Sequence, residues 1–232
     1  MLKIGTSNEE NRYNWIRKTL LTIPAGLSIL DAGAGECQFK HFCAHLNYTS
    51  QDFGEYHGDG HVGLQTGKWD NSKIDIVSDI INIPLPDNSV DAIMCTEVLE
   101  HIPDPAKAIV EFNRLIKPGG YLIITSPFAS LTHFAPYHFA SGLSRFYYEH
   151  HLPKNNFTIT ELDFNGNFFE FVGQETRRIA PLMDKYNLGK LSWFEKRVLY
   201  LTLQILQKYS KKDKSSSELL CFGIHVFARK AP

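Results

Sequence analysis

Apolar positions along this 232-residue chain repeat in two rhythms that take turns. Tyr13, Ile16, Leu20 and Leu21 share one face at helical spacing, which predicts an opening helix over residues 8–21, with Pro24 beyond its end. A short apolar run over 28–32 reads as a buried strand. The glycine turn Gly33-Ala34-Gly35 follows it, and a helix is predicted over about 37–45. Residues 48–51 form a second short strand ending at Asp52, and the Gly- and His-rich stretch 53–73 reads as a long loop. Strands over 74–78 and 90–95 come next. Pro103-Asp104-Pro105 then opens a helix carrying Ala108, Ile109, Phe112, Leu115 and Ile116, and Lys117-Pro118-Gly119-Gly120 stops it. Residues 121–125 are apolar almost throughout, as expected of a strand covered on both faces.

After residue 130 the rhythm changes. Residues 157–164 and 221–229 alternate as strands, with two helical stretches between them, 166–185 and 192–208. Alternating strands and helices predict a mostly parallel, doubly wound α/β sheet, and the two late strands would close it, one of them antiparallel. We expect a single domain with helical additions. Residues 1–25 form its opening helix, 26–130 and 131–232 its two halves, and 166–210 a helical insertion in the second half.

Composition narrows the function. With 43% hydrophobic residues the chain can bury a real core, and 24 basic against 25 acidic residues leave a net charge of -1. That balance argues against a protein that works by neutralising many phosphates, so no nucleic-acid partner is expected. Cys37, Cys43, Cys95 and Cys221 form no CxxC pair and read as free thiols. The first residues lack a basic start followed by an apolar run, and no stretch is apolar enough to span a membrane. The expectation is a cytoplasmic protein with no membrane span.

Gly33 and Gly35 stand at the carboxyl end of the first strand, where open α/β sheets bind nucleotide-like ligands. Without a Cβ they let a ligand lie against the backbone, although a tight strand-to-helix turn also wants glycine. Carboxylates keep them company. Asp31 sits at the turn, Asp52 ends strand two, Asp79 ends strand three and Glu97 follows strand four, all expected on one edge. A dinucleotide would bring a pyrophosphate toward Glu36, and its third small residue is here Gln38. A ring of carboxylates suits a sulfonium and an ammonium better.

The segments ILDAGAGE, the QD step at Asp52, VSDIINIPLPDNSVDAIMCTEVLEHI and RLIKPGGYLIITSPF resemble the class I S-adenosylmethionine-dependent methyltransferases, in the group that includes ubiquinone- and menaquinone-type enzymes. They cover roughly residues 28–127. The resemblance implies a seven-stranded Rossmann-like sheet and S-adenosylmethionine as cofactor, with S-adenosylhomocysteine as product. It also implies that Asp31, Gly33 and Gly35 hold the methionyl part and Asp52, with Phe53 beside it, the ribose. Asp79 and Ile80 would hold adenine, and Thr96 and Glu97 would line the reaction pocket.

Methyl transfer needs an acceptor atom placed against the sulfonium carbon, and an oxygen or nitrogen acceptor often needs a base. His101 follows strand four, and His133 and His138 follow strand five in LTHFAPYH. These three are the candidate bases, each also readable as a capping or core histidine, and Glu97 and Glu100 could assist. The chain lacks the Asn/Asp-Pro-Pro-Tyr turn of enzymes that methylate nucleobase amines. Residues 126–167 look like methyltransferases associated with bacterial surface-glycan clusters, which points to a hydroxyl on a sugar or a similar small molecule.

His57, Asp59 and His61 could ligate a metal, but their glycine-rich loop reads as a solvated or lid loop, and no metal is assigned. The stretch 191–206 is apolar around much of a helix. Packing on the sheet is its plain reading, a homodimer contact comes next, and docking on a membrane surface through Trp193 and Phe194 is a third. Two other functions stay open: an NAD(P)-dependent oxidoreductase on a similar sheet, and a catalytically silent cofactor-binding subunit.

Overall fold

The computed structural model describes residues 2–58, 60, 62–65 and 67–232. Its contacts group the chain into two compact units. One joins the N-terminal segment up to Tyr13 with Phe164–Phe222, and the other joins Asn14–Asp163 with Gly223–Pro232.

The larger unit is built on a seven-stranded sheet. Its strands are β1 (Ser28–Ala32), β2 (Asn47–Asp52), β3 (Ile76–Val77), β4 (Val90–Thr96), β5 (Ile116–Pro127), β6 (Phe157–Asn165) and β7 (Gly223–Lys230). Their order is β3-β2-β1-β4-β5-β7-β6. The pairs β1–β2, β1–β4, β2–β3 and β4–β5 are parallel, and β5–β7 is antiparallel. This is the mostly parallel Rossmann-like α/β sheet with a late antiparallel strand that the sequence pattern predicts. Ile29, Leu30, Ile93, Ile123, Ile124 and Val226 are buried in it, which is why these strands read as continuous apolar runs.

Helix α1 (Asn8–Leu20) buries Trp15, Ile16, Thr19 and Leu20. Helix α2 (Pro105–Leu115) begins with Pro105, whose missing N–H costs nothing in a first turn, and buries Ala108, Ile109, Phe112 and Leu115 at the predicted spacing. Helix α3 (Arg145–Lys154) was not predicted; its polar and aromatic residues follow no helical stripe, and it buries only Tyr148 and Leu152.

The predicted helix over 37–45 shrinks to a single 3₁₀ turn, Lys40–Cys43. Cys37 takes φ 57°, a left-handed conformation that ends helical propagation before it starts. The strand expected over 74–78 keeps only Ile76 and Val77.

In the smaller unit, α4 (Phe168–Lys185) and α5 (Trp193–Ser210) pack on each other. Asn167 caps α4 by accepting the Glu170 amide at 3.0 Å. Ser192 and Glu195 form a reciprocal capping box at the start of α5. Arg177 ties the N-terminal segment down by donating to the carbonyls of Ile4 and Leu2, each at 2.7 Å. No residue of α5 is buried. Among the described residues no helix is long and apolar enough to cross a membrane.

Candidate active site

The parallel strands β1, β2 and β4 all deliver their carboxyl ends to one edge of the sheet, and β1 runs directly into the glycine turn. Gly33 and Gly35 have φ 77° and 51°, which glycine adopts without the steric cost of a side chain. The turn is fixed by its own amides: those of Gly33 and Ala34 both donate to the Gln51 carbonyl at 2.8 Å. The Gly35 amide donates to Asp52 Oδ2 at 3.0 Å, and Asp52 Oδ1 accepts the Gly54 amide at 2.8 Å. Asp52 thus braces the turn that the sequence places opposite it.

Asp31 is buried beneath this turn, and the Tyr48 hydroxyl donates to its Oδ2 at 2.7 Å. Its other oxygen, Oδ1, is buried and accepts no hydrogen bond from the described residues. Burial pushes its carboxyl up to about 7 against the pull of the Tyr48 hydroxyl, and the neighbouring Asp52 charge adds to the rise. An orphaned carboxylate oxygen asks for a donor or a cation. The methionyl ammonium of S-adenosylmethionine would answer it, whereas a phosphate would be repelled. A Cβ on Gly33 would come within 2.4 Å of the Val98 side chain, and one on Gly35 within 2.6 Å of Trp69, so the turn admits nothing larger than glycine.

The remaining predicted cofactor residues are placed as follows. Asp79 is exposed, with Oδ1 accepting the Ile81 amide at 3.1 Å, and Ile80 beside it is buried. Thr96 is buried at the end of β4. Glu97 follows at φ 55°, its amide donating to the Thr125 carbonyl at 2.8 Å. A glutamate held in the left-handed region is a costly conformation of the kind that collects at working sites. Phe53 is partly exposed and meets Tyr137 edge-on, with ring centroids 4.8 Å apart.

The three candidate bases converge. The ligating atoms of His101, His133 and His138 all lie within 4.8 Å of one another. The loop that carries the last two is held by backbone bonds: the amides of Phe139 and Ala140 donate to the Glu100 carbonyl, and the Leu64 amide donates to Thr132. The Nδ1–H of His101 donates to the Tyr137 carbonyl, and that of His133 to the Leu131 carbonyl at 2.9 Å. Both rings therefore keep Nε2 as the lone-pair atom.

Glu100 is fully buried, with Oε1 3.7 Å from His101 Nε2 and 3.8 Å from His133 Nε2. The short turn Leu99–His101 at the exit of β4 turns Glu100 inward. Burial, and next the His133 charge, push the His101 imidazole down to about 4, and burial also lowers His138. The lowered His101 and His138 imidazoles favour the neutral form, able to bind a cation.

Sequence reasoning missed the aromatic residues that join these groups. Phe134 stacks on Tyr56 with centroids 4.0 Å apart and meets Trp69 edge-on at 5.1 Å, and His101 lies 4.9 Å from Phe134. Since Trp69 lies against Gly35, an aromatic chain runs from the glycine turn to the histidines. Trp69 and Tyr56 belong to the loop over 53–73, where no periodicity marks them. Of the loop residues weighed as metal ligands, His57 is exposed, and Asp59 and His61 lie outside the described residues.

Residues 30–124 match the family model described as a methyltransferase domain. Demethylmenaquinone methyltransferase from Paenarthrobacter aurescens is 31% identical over 120 residues, which cover 50% of this chain and 45% of that protein. A ubiquinone biosynthesis O-methyltransferase from Dechloromonas aromatica is 32% identical over 121 residues, half of each chain. The chain spans half or less of the length of these curated relatives. A SAM-dependent methyltransferase from Archaeoglobus fulgidus shares the fold, with a TM-score of 0.59 at 16% identity, over 95% of this chain and 94% of that one. Over residues 30–124 the chain is thus similar to methyltransferase domains, and through its first half to enzymes named as quinone-biosynthesis methyltransferases.

Proposed function

We propose that this protein transfers the methyl group of S-adenosylmethionine to a hydroxyl oxygen of a small molecule. The observation that carries the reading is the convergence of His101, His133 and His138 beside the buried Glu100, joined by aromatic contacts to the glycine turn. Asp31, Gly33 and Gly35 would receive the methionyl part of the cofactor, Asp52 and Phe53 its ribose, Asp79 and Ile80 its adenine, and Thr96 and Glu97 the reacting end. Bound there, the cofactor supplies an electrophilic methyl carbon on a sulfonium centre and leaves as S-adenosylhomocysteine.

The chain's own contribution is to bind and orient both partners and to relieve the acceptor of its proton. His133 is suited to that, because its Nδ1–H is engaged by a carbonyl and its Nε2 lone pair stands beside a carboxylate. Phe134, Tyr56 and Trp69 offer apolar walls that exclude water. An oxygen acceptor is favoured by the relative named a ubiquinone biosynthesis O-methyltransferase. A sugar hydroxyl is favoured by the likeness of residues 126–167 to glycan-associated methyltransferases. The exposed apolar stripe of α5 supports a second copy of this chain as partner.

The test is labelled-methyl transfer against a panel of phenolic and sugar hydroxyls, with mass spectrometry of the labelled product. A methyl ether is expected. Label on nitrogen only would move the reaction to amines. Cofactor binding with no labelled product in a cell extract would make the chain a silent binding subunit.

A further inference from the structure

We propose that His101, His133 and His138 hold a divalent transition-metal cation, with zinc the best match to the donor set and the Glu100 carboxylate as its anionic neighbour. The inference rests on the methyl-transfer reading for its purpose, since it specifies how that site would activate a hydroxyl, but the geometry stands by itself.

A single imidazole is enough for a base, yet here three bring their ligating atoms within 4.8 Å of one another. In a tetrahedral zinc site with Zn–N near 2.0–2.1 Å, ligand nitrogens stand about 3.3 Å apart, so side-chain movements of about 1 Å would close the set. The tautomers are already chosen. His101 and His133 each spend Nδ1–H on a backbone carbonyl, which is the outer-shell bond that orients metal-bound histidine and leaves Nε2 to the metal. His138 adds a buried Nδ1 that has no hydrogen-bond partner among the described residues. Three imidazoles, with a carboxylate beside them rather than among them, form a nitrogen donor set that suits zinc or its first-row neighbours over magnesium or calcium.

Three protein nitrogens leave a coordination position open. A cation held there would replace the bare His133 Nε2 as the activating group: it would bind the acceptor's hydroxyl oxygen and lower its pKa, the proton passing to solvent, so that an alkoxide or phenolate is presented at neutral pH.

The experiment uses the full chain, stripped with a chelator and titrated with zinc by calorimetry and with cobalt(II) by visible absorption. One equivalent should bind, with cobalt bands of a low-coordinate nitrogen site. His133→Ala and His138→Ala should each weaken binding by at least about tenfold. A double variant of the neighbouring histidines, His150→Ala with His151→Ala, should leave it unchanged. His133→Gln, which keeps side-chain bulk, serves if an alanine variant fails to fold. Binding that survives both single substitutions, or that disappears only in the His150/His151 pair, overturns the site. S-adenosylhomocysteine affinity of the stripped protein is measured in parallel. Affinity kept with no zinc uptake removes the metal alone, whereas zinc uptake without that affinity removes the methyl-transfer reading and leaves the metal site standing.

Discussion

Asp52 Oδ2 accepts the amide of Gly35 at 3.0 Å, so the carboxylate proposed to hold a ribose already holds the turn that faces it. Its second oxygen accepts the Gly54 amide at 2.8 Å. Asp52→Ala should then damage two properties at once. Removing a charge-assisted acceptor from a buried amide should lower folding stability by about 1–3 kcal/mol, read from chemical denaturation of the unliganded protein. Calorimetry should show weaker S-adenosylhomocysteine binding as well. Full stability in Asp52→Ala would mean that the turn holds its shape without this brace.

Asp31 makes stability depend on pH. Its carboxyl is raised to about 7 in the folded protein, chiefly by burial, from 3.8 in a free chain. Between those two values the folded state keeps a proton that the unfolded chain has lost. The contribution is therefore complete below pH 4 and is lost as pH rises through 7. Asp31→Asn, which cannot ionise, should flatten this slope when denaturation is followed from pH 5 to pH 8. In the same interval cofactor affinity should rise with pH, because the ammonium needs the charged carboxylate. Parallel pH profiles for the two proteins would take the titration away from Asp31.

The sheet was legible because its strands carry their own evidence. Residues 28–32, 90–95 and 121–125 are mostly apolar, with Asp31 and Asp91 as the charged exceptions, and each lies in a strand. The edge carboxylates Asp31 and Asp52 could be placed because strand ends fix where the next residue points. The helix expected after Gly35 failed because a left-handed Cys37 depends on how the turn closes against Asp52, a contact far apart in sequence. Clustering of His101 with His133 and His138 was hidden for a similar reason. Each was visible singly, but their meeting requires the loop after β5 to fold back on the Glu100 carbonyl. Trp69, which no pattern singles out, meets the stacked rings of Tyr56 and Phe134 edge-on.

Trp69 should report on the glycine turn. Its ring lies where a Cβ on Gly35 would be, 2.6 Å from Cζ2. Gly35→Ala should displace the indole from the Tyr56–Phe134 contacts and shift its fluorescence to the red. The left-handed φ of 51° adds a destabilisation of about 1–2 kcal/mol. Cofactor binding at this turn should alter the same emission in the wild type and not in Trp69→Phe, which leaves Trp15 and Trp193 as background. An identical ligand response in Trp69→Phe would place the ligand away from the turn.

Along α5, Phe194, Val198, Leu201, Ile205 and Tyr209 recur at intervals of four, three, four and four residues, which lines them up on one face. All five are exposed, Phe194 to 67% and Ile205 to 57%, and Trp193 beside them to 79%. A stripe of that spacing is the pattern by which helices pair, and an apolar face of this extent in water asks for a partner. A second copy supplies the same stripe by symmetry. Sedimentation should show a concentration-dependent dimer, and Leu201→Glu with Ile205→Glu should raise its dissociation constant by at least about tenfold, since charges at a packed seam are left desolvated. The double variant should fold as well as the parent, because neither side chain is buried in the monomer. A parent chain that stays monomeric at high concentration, or that pellets with anionic vesicles while monomeric, would show that the stripe meets something other than itself.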